Sequence, residues 1–407
     1  MDEKQGVRTK GRVGQHVESY FGLRMNSEAG PDFPHLGVEL KTVPLRRHKS
    51  GRTLSAKERT FITQINYDSI HRQPFDESSL DTKTRHTLYV FYEWQRDQPT
   101  TETSVLRAYL HERDAAAIDM ARRAYAHVVA EVNAGRAHLL SEGDTLGIGP
   151  ATKDAGGAWV PQPFGREQAR RRAFAWKAAY TTALYRSLDS DRWRGDLGLE
   201  AVLDEARERV SRHRGWTVRQ LRNEYCPGTS DGWKSVTGAV ARRLLGSPSS
   251  TREPLRYEPF GLLVRAIRVA DDGMPWEGTS FPAIDFRDVA EEEWESSPLV
   301  EQLRSILLVV FRDPSKQVME SELESLVHWQ PTDRDVAVMR EEYERFRAYI
   351  AESRPEDAPT EKQTRILHMR PHGADGRDLV DLPNGRQFRR SAFWLNKSYL
   401  QLVIERG

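Results

Sequence analysis

The chain has 407 residues, with 61 Lys plus Arg against 60 Asp plus Glu and a net charge of +1. This balance gives no global attraction for a polyanion, so any nucleic-acid surface must come from local basic clusters. The single cysteine, Cys226, excludes an internal disulfide framework, and no apolar run reaches the roughly 18 residues that span a bilayer. The N-terminal segment lacks the apolar core of a secretory signal, so we expect a cytoplasmic protein without membrane contact.

The first elements in chain order are a helix and a strand. Apolar residues recur at helical spacing from Val13 to Phe21, and Gly22 marks the helix stop. Residues 36–43 then alternate as a strand does, so that alternate side chains share a face. One face carries Leu36, Val38 and Leu40, and the other carries Glu39, Lys41 and Val43.

Further along, strands are predicted near residues 61–67 and 87–92, followed by a long amphipathic helix at 115–134. A turn-rich segment at 141–157 precedes a basic helix within the arginine-rich stretch 158–187. Helices and strands mixed around a central sheet make the fold class α/β, of the mixed α+β kind.

The two halves of the chain contain similar segments in the same order. The pairs are residues 11–22 with 234–246, 34–46 with 258–269, 82–91 with 301–310, and the basic, aromatic stretches 171–184 with 389–403. Repeated order at similar spacing indicates a duplicated domain. We therefore predict domains at 1–190 and 217–407, joined by a charged helical linker at 191–216.

The residues Asp32, Glu39 and Lys41 have a spacing suited to phosphodiester hydrolysis. That reaction needs an activated water and neutralisation of charge on the phosphorus, which carboxylate-bound metal ions supply. Mg²⁺ prefers hard oxygen ligands and keeps several waters, so two carboxylates suffice. A turn at residues 34–37 can bring Asp32 alongside Glu39, and Lys41 then lies beside the metal. An exposed strand with a Glu39–Lys41 ion pair would give the same spacing.

Other chemistries have weaker support. One cysteine leaves no Cys-rich zinc site, and His368 with His372 flank a predicted strand and turn rather than forming a paired ligand set. The sequence contains no GxSxG or Walker A motif, and Gly147-Ile148-Gly149 lacks the rest of a dinucleotide fingerprint.

Several sequence blocks resemble the MutH mismatch-repair nickase and its restriction-enzyme relatives in the PD-(D/E)xK nuclease superfamily. The blocks are GRVGQHVESYFG, PDFPHLGVELKTVP, SSLDTKTRHTLYVF, HLLSEGDTLGIGPATKDA and QARRRAFAWKAAY, which together cover nearly all of the first half. The resemblance implies a restriction-endonuclease-like core, duplicated as two tandem MutH-like domains. It also implies that Asp32 and Glu39 bind Mg²⁺, with Mn²⁺ as a substitute, and that Lys41 is the catalytic lysine.

The resemblance adds two further catalytic residues, Glu18 and Lys83. Glu18 would assist metal or water placement, and Lys83 would approach the phosphate at the active site. The alternatives are a solvated helix residue for Glu18 and a surface charge for Lys83.

The second half lacks the catalytic groups, because Asp32 aligns with Arg256, Glu39 with Leu263 and Lys41 with Arg265. Glu18 falls among residues 241–243, and Lys83 falls on Gln302 or Leu303. HMRPHG resembles the Arg-Pro turn with which MutH reads bases, which makes Arg370 a candidate for a groove contact, or else a surface arginine of a hairpin. The predicted DNA-binding residues are Lys153, Arg171, Lys177, Arg370, Arg389, Arg390 and Lys397, although basic clusters are also common on solvated surfaces.

The sequence thus predicts a type II restriction endonuclease that cuts a short palindrome, for which the resemblance points to GATC. The pseudo-nuclease half is expected to bind a second site and stimulate cleavage. A methylation-directed repair nickase and a non-catalytic DNA-binding protein remain alternatives. The expected partners are double-stranded DNA, with binding at two sites at once and a DNA-induced dimer both open, and a cognate DNA methyltransferase encoded nearby.

Overall fold

The computed structural model describes residues 12–23, 30–47, 53–95, 102–152, 158–188, 195–229, 235–247, 256–294, 297–373, 375 and 377–407. The chain divides into two compact units, Met1–Leu199 and Glu200–Gly407. Among the described residues, no helix combines the length and apolar character that crossing a membrane requires.

The first unit contains helices and strands in alternation. Its helices are α1 (Arg12–Tyr20), α2 (Tyr67–Ile70), α3 (Ser79–Arg85), α4 (Ala115–Asn133) and α5 (Ala178–Ser187). Its strands are β1 (Glu39–Arg47), β2 (Leu54–Ala56), β3 (Thr60–Gln64), β4 (His86–Trp94), β5 (Val105–Glu112), β6 (Ile148–Thr152), β7 (Trp159–Val160), β8 (Ala169–Arg170) and β9 (Arg172–Trp176).

The main sheet of this unit has the strand order β2-β1-β4-β5. Strands β1 and β4 are parallel, with Glu39 opposite Thr87 and Lys41 opposite Tyr89, and the chain between them forms the crossover. A second sheet has the order β3-β9-β6. Val43, Pro44 and Leu45 are buried in succession, as is typical of a strand covered on both faces. The end of β1 is therefore covered on both of its faces.

The second unit begins with the helical connector. Its helices are α6 (Leu199–Arg212, which starts at the unit boundary), α7 (Val218–Tyr225), α8 (Val236–Leu244), α9 (Phe286–Glu291), α10 (Pro298–Gln302), α11 (Asp333–Ala351) and α12 (Lys397–Arg406). Its strands are β10 (Leu263–Val269), β11 (Thr279–Ala283), β12 (Ile306–Arg312), β13 (Glu322–Trp329), β14 (Leu367–Pro371), β15 (Leu379–Asp381), β16 (Gln387–Arg389) and β17 (Ser391–Leu395).

Two sheets organise this second unit, with orders β10-β12-β13 and β11-β17-β14. Strands β10 and β12 are parallel, and Leu263 lies opposite Ile306. The core packs both sheets against α11, whose buried side chains include Met339, Tyr343 and Phe346. The chain is therefore a mixed α+β protein, as the sequence predicts.

Two expectations need correction. Leu36 does not belong to a strand: it lies in the turn before β1 and is 72% exposed, because β1 begins only at Glu39. The stretch expected to form a basic helix instead contains strands β8 and β9, and helix α5 starts only at Ala178. The buried run of β9, RAFAW, pairs with β3 and β6, and this tertiary pairing outweighs the helical propensity of its alanines.

Candidate active site

The Glu39 carboxylate lies at the start of β1 and is 1% exposed. Lys41, two residues further along the strand, places its Nζ 2.5 Å from Glu39 Oε1. Lys83 Nζ, from α3, lies 3.3 Å from the same oxygen. The site is therefore not the exposed strand with a surface ion pair that the spacing left open. It is a buried carboxylate that meets two ammonium groups.

The turn before β1 brings Asp32 to the start of this strand, next to the residue that follows Glu39 in the chain. Phe33 and Val38 form an isolated antiparallel bridge, and Gly37 adopts a φ of 66°, which a glycine accepts without a steric penalty. The backbone N–H of Leu40 then donates to Asp32 Oδ2 at 2.8 Å. This contact confirms the predicted chain reversal and holds the Asp32 side chain beside the residue that follows Glu39.

Glu18 lies on α1, which packs against β1. Burial raises the pKa of the Glu18 carboxyl above its usual value, and the nearby Asp32 carboxylate raises this pKa further. Lys41 lowers the pKa and Glu39 raises it, so all three groups act on Glu18. The structure thus brings Glu18 within electrostatic range of Asp32, Glu39 and Lys41. Its assistance in metal or water placement stays a prediction.

The side chain of Lys83 is only 11% exposed, which does not fit the alternative of an ordinary surface charge. Its helix begins where Ser78 accepts a hydrogen bond from the backbone N–H of Asp81, a standard N-cap. The Thr87 hydroxyl donates to the Lys83 carbonyl at 3.2 Å, which ties the end of α3 to β4.

One oxygen of the site is left without a partner. Glu39 Oε2 is buried and has no hydrogen-bond partner among the described residues. A buried carboxylate oxygen without a partner is costly, and a divalent cation would satisfy it. Within the described residues no three His, Cys, Asp or Glu side chains form a ready metal cage. The donor set is two carboxylates, Asp32 and Glu39, which fits a cation such as Mg²⁺ that keeps several waters.

Comparison with known proteins agrees with this geometry. The family described as DNA mismatch repair enzyme MutH matches residues 21–120 and 260–342, so the first match contains Asp32, Glu39, Lys41 and Lys83. The chain is 28% identical over 308 residues to the type II restriction enzyme Sau3AI of Staphylococcus aureus, covering 71% of this chain and 62% of that protein. The chain is therefore similar to the MutH nucleases and to a type II restriction enzyme.

Two MutH proteins extend the comparison. The DNA mismatch repair protein MutH of Shewanella woodyi is 23% identical over 214 residues, which are 51% of this chain and 92% of that protein. MutH of Shewanella amazonensis is 30% identical over 150 residues, which are 36% of this chain and 65% of that protein. The chain spans less than two thirds of the length of Sau3AI.

The predicted DNA contacts of the first unit occupy different environments. Arg171 is exposed between β8 and β9. Lys177 is 5% exposed, and its ammonium donates to the Thr145 carbonyl, which places it in the interior of the unit. A buried ammonium with this contact does not face a surface that DNA could approach directly. Lys153 lies outside the described residues.

In the second unit, Arg370 is exposed at the end of β14, and its guanidinium lies 4.1 Å from the ring centroid of Trp394. This stacking holds the arginine at the surface. Arg389 is exposed on β16, whereas Arg390 Nε donates to Asp378 at 2.8 Å. Lys397 begins α12 and is half-buried. The basic end of the unit is therefore partly neutralised by its own carboxylates.

Sequence reasoning missed two groups that surround the helix of Lys83. Asp81 on α3 is buried, and Arg113, directly after β5, contacts its carboxylate at 2.8 Å. The spacing of Asp81 and Arg85 is that of a helical ion pair, and this was the only available signal. The partner Arg113 is distant in sequence and could not have been found without the fold.

Proposed function

We propose that this chain is a Mg²⁺-dependent type II restriction endonuclease that hydrolyses DNA phosphodiester bonds at a short palindrome. The observation that carries the proposal is the buried Glu39 carboxylate, which meets Lys41 and Lys83 through one oxygen and has its second oxygen unpartnered among the described residues. A buried carboxylate kept in this state is costly for stability, and it is suited to bind a cation.

Asp32 and Glu39 would hold the cation, which when bound supplies a Lewis acid for the phosphate and an activated water. Lys41 would orient the attacking water and balance negative charge that develops on the phosphate. Glu18, whose pKa is raised by burial and by Asp32, would retain or accept a proton near that water. Lys83 would provide a second positive charge toward the phosphate.

We further propose that the two units are copies of one MutH-like domain. The parallel pair β1–β4 matches β10–β12, and the sheets β3-β9-β6 and β11-β17-β14 have the same order. His111 Nε2 lies 3.0 Å from Tyr180 Oη, and Trp329 Nε1 lies 3.3 Å from Tyr399 Oη, at corresponding places. Segments of both units also match the same family description.

The strand registers give residue equivalences between the copies. Glu39 pairs with Thr87 as Leu263 pairs with Ile306, so Thr87 corresponds to Ile306. Counting back from these two residues brings the serine N-caps of α3 and α10, Ser78 and Ser297, into the same position. The catalytic residues Glu39, Lys41 and Lys83 then correspond to Leu263, Arg265 and Gln302.

The second unit in this proposal has no carboxylate for a cation at the Glu39 position, and its remaining role is DNA binding. Arg370 and Arg389 are exposed and available for that contact. Binding of a second recognition site there would stimulate cleavage in the first unit. The similarity to Sau3AI and MutH supports GATC as the site, together with a methyltransferase that protects host DNA.

A repair nickase with the same chemistry is the second candidate. About half of this chain already spans 92% of the MutH of Shewanella woodyi, so a whole further unit remains. A fused second copy favours a restriction enzyme, which engages two sites, over a single-domain nickase.

The test is to incubate the purified chain with unmethylated DNA and Mg²⁺, and to sequence the ends produced. Double-strand breaks with a fixed stagger at one palindrome would support the restriction function. Nicks confined to one strand would favour the repair nickase. Intact DNA under all metal conditions would leave a DNA-binding protein and overturn the proposal.

A further inference from the structure

A buried carboxylate lies on α3, the short helix that carries Lys83. The Asp81 side chain is 1% exposed and accepts a hydrogen bond from Arg85 Nε at 2.8 Å. Its other oxygen, Oδ1, lies 2.8 Å from Arg113 Nη1. Asp81 thus joins α3 to the residue that follows β5, at the opposite edge of the main sheet from β2.

Arg113 contacts α3 at several points besides this carboxylate. Its Nη1 lies 3.2 Å from the Asp81 carbonyl and 3.0 Å from Thr84 Oγ1, and its backbone N–H donates to the Arg85 carbonyl at 2.9 Å. The contacts span the last turn of α3 on both sides of Lys83. They therefore fix the position of the helix along its axis as well as its rotation.

The contact between Lys83 and Glu39 depends on the position of α3, because the Lys83 ammonium lies 3.3 Å from Glu39 Oε1, which is long for a hydrogen bond. A displacement of α3 by about 1 Å would break this contact, and misplacement by that amount can reduce an enzymatic rate by about a hundredfold. The Ser78 cap and the Thr87 hydroxyl hold the two ends of the helix. The contacts of Asp81 and Arg113 hold its last turn, on both sides of Lys83.

The second unit folds without this arrangement. In the register given above, Asp81 corresponds to Val300 and Arg113 to Pro331. Val300 is 4% exposed, so an apolar side chain fills the buried position in that unit. The fold therefore does not require the buried ion pair. The pair is missing from the second unit, which also has Leu263 and Arg265 in place of Glu39 and Lys41. Buried ion pairs contribute little net stability compared with apolar residues of similar volume.

From these observations we propose that Asp81 and Arg113 are positioning residues, which clamp α3 so that Lys83 stays against Glu39. The proposal rests on the nuclease function proposed above, since Lys83 needs its position for that reaction. In this proposal neither Asp81 nor Arg113 contacts the substrate or the cation. They act through Lys83 alone.

The first test is a double-mutant cycle with Asp81→Asn and Lys83→Ala, measured as single-turnover cleavage at saturating DNA with Mg²⁺. Asp81→Asn should slow cleavage about tenfold to a hundredfold while the Kd for DNA changes less than about twofold. In the Lys83→Ala background the same Asp81→Asn change should cost nothing further. An equal loss in both backgrounds would overturn the proposal, because Asp81 would then act by another route.

The second test separates position from stability. The variant Asp81→Val with Arg113→Met replaces the ion pair by apolar side chains, as Val300 does in the second unit, and should unfold near the wild-type temperature yet cleave slowly. A folded variant that cleaves at the wild-type rate would refute the clamp. If this variant does not fold, Arg113→Lys takes its place, because it keeps the positive charge and loses the multiple contacts. Its unfolding temperature and its cleavage rate are compared with those of the wild type in the same way.

A matched control is available in the second unit. Asp313 is also 1% exposed and lies 2.7 Å from Arg268 Nη1, so Asp313→Asn breaks an equally buried ion pair without reaching α3. This control should leave the single-turnover rate unchanged. A loss as large as that of Asp81→Asn would mean that any buried ion pair has this effect, which would overturn the proposal.

A readout independent of cleavage is the rate at which an amine-reactive reagent labels Lys83, measured by mass spectrometry. The wild-type side chain is 11% exposed and should react slowly, and Asp81→Asn should accelerate labelling severalfold at Lys83 but not at Lys57. Unchanged labelling would overturn the clamp even if cleavage falls. If the wild-type chain never cleaves DNA, the nuclease proposal fails, and the labelling result then separates that failure from a failure of the clamp.

Discussion

Lys41 Nζ lies 2.5 Å from Glu39 Oε1, and both side chains project from the first residues of β1. The lysine therefore neutralises one oxygen of the carboxylate, while the second oxygen remains buried without a partner among the described residues. A cation at that second oxygen would not need to displace the lysine. Glu39 is thus suited to bind a metal ion through Oε2 while the Lys41 ammonium stays at Oε1.

We expect Glu39→Ala, Asp32→Ala and Lys41→Ala each to reduce DNA cleavage by at least about a hundredfold, because each removes a metal ligand or the group that places the water. Gel-shift binding of DNA should persist in all three variants. Single-turnover rates on a plasmid with one site provide the measurement. Full activity of Glu39→Ala would show that the active site lies elsewhere.

Metal binding should be visible without cleavage. We expect Mg²⁺ or Mn²⁺ to raise the melting temperature of the wild-type chain, since a ligand at a hundred times its Kd stabilises a protein by about 2.7 kcal/mol. The double variant Asp32→Asn with Glu39→Gln should show no such rise, and chelator should abolish cleavage by the wild type. A rise of equal size in this variant would place the metal site at other residues.

The sequence predicted this site because its signal is local. Glu39 and Lys41 are two residues apart on one strand, and the turn at residues 34–37 needs only a glycine that accepts a positive φ, as Gly37 does. The contact of Lys83 with Glu39 spans 44 residues and came only through family resemblance. Arg113 lay outside sequence reasoning altogether, because its partners become neighbours only when β5 pairs with β4.

The same distinction between local and long-range signals explains where the sequence-based prediction of the fold was wrong. The basic stretch before α5 reads as a helix from its alanines, yet β9 pairs with β3 and β6 and is buried along its whole length. Long-range strand pairing outweighs local propensity there. Lys177, which the sequence predicted to contact DNA, is buried because it directly follows this buried strand.

Substitution of Arg265, which the proposed duplication aligns with Lys41, should leave the metal-dependent chemistry intact. Arginine cannot ligate Mg²⁺, so Arg265→Ala should retain the wild-type single-turnover rate at saturating DNA, with any loss confined to DNA affinity. Lys41→Ala is the matched comparison from the first unit. Abolition of cleavage by Arg265→Ala would mean that the second unit takes part in the chemistry.

Acid should destabilise the first unit through His111. Burial lowers the pKa of His111 in the folded state to about 4 from an ordinary value of 6.5. The unfolded chain therefore takes up the proton first as the pH falls below 6.5, and stability is lost down to about pH 4 by up to about 1.4 kcal/mol per pH unit. Urea unfolding at pH 7 and pH 4.5 should show a smaller acid loss for His111→Gln than for the wild type. Equal losses would mean that His111 is protonated in the folded state.

The last prediction concerns the second unit as an effector. If it binds a second copy of the recognition site, plasmids with one site should be cut slowly and plasmids with two sites faster. An uncleavable duplex that carries the site should accelerate one-site cleavage in trans. A coupling of this kind is typically worth about 1 to 3 kcal/mol, which corresponds to about a fivefold to hundredfold stimulation.

Arg370 is the residue through which this stimulation should depend on DNA sequence. Its guanidinium is exposed and lies 4.1 Å from the Trp394 ring, so it is held in place before DNA arrives and can donate twice to a guanine. Phosphate contacts from Arg389 add affinity that falls with salt but carry no sequence information. Arg370→Ala should therefore reduce the stimulation more than it reduces binding to non-site DNA. Arg354→Ala, which removes an exposed arginine outside the basic end, serves as the control and should change neither. Equal cleavage of one-site and two-site plasmids by the wild type, without acceleration by the added duplex, would leave the second unit as a structural support and exclude this mechanism.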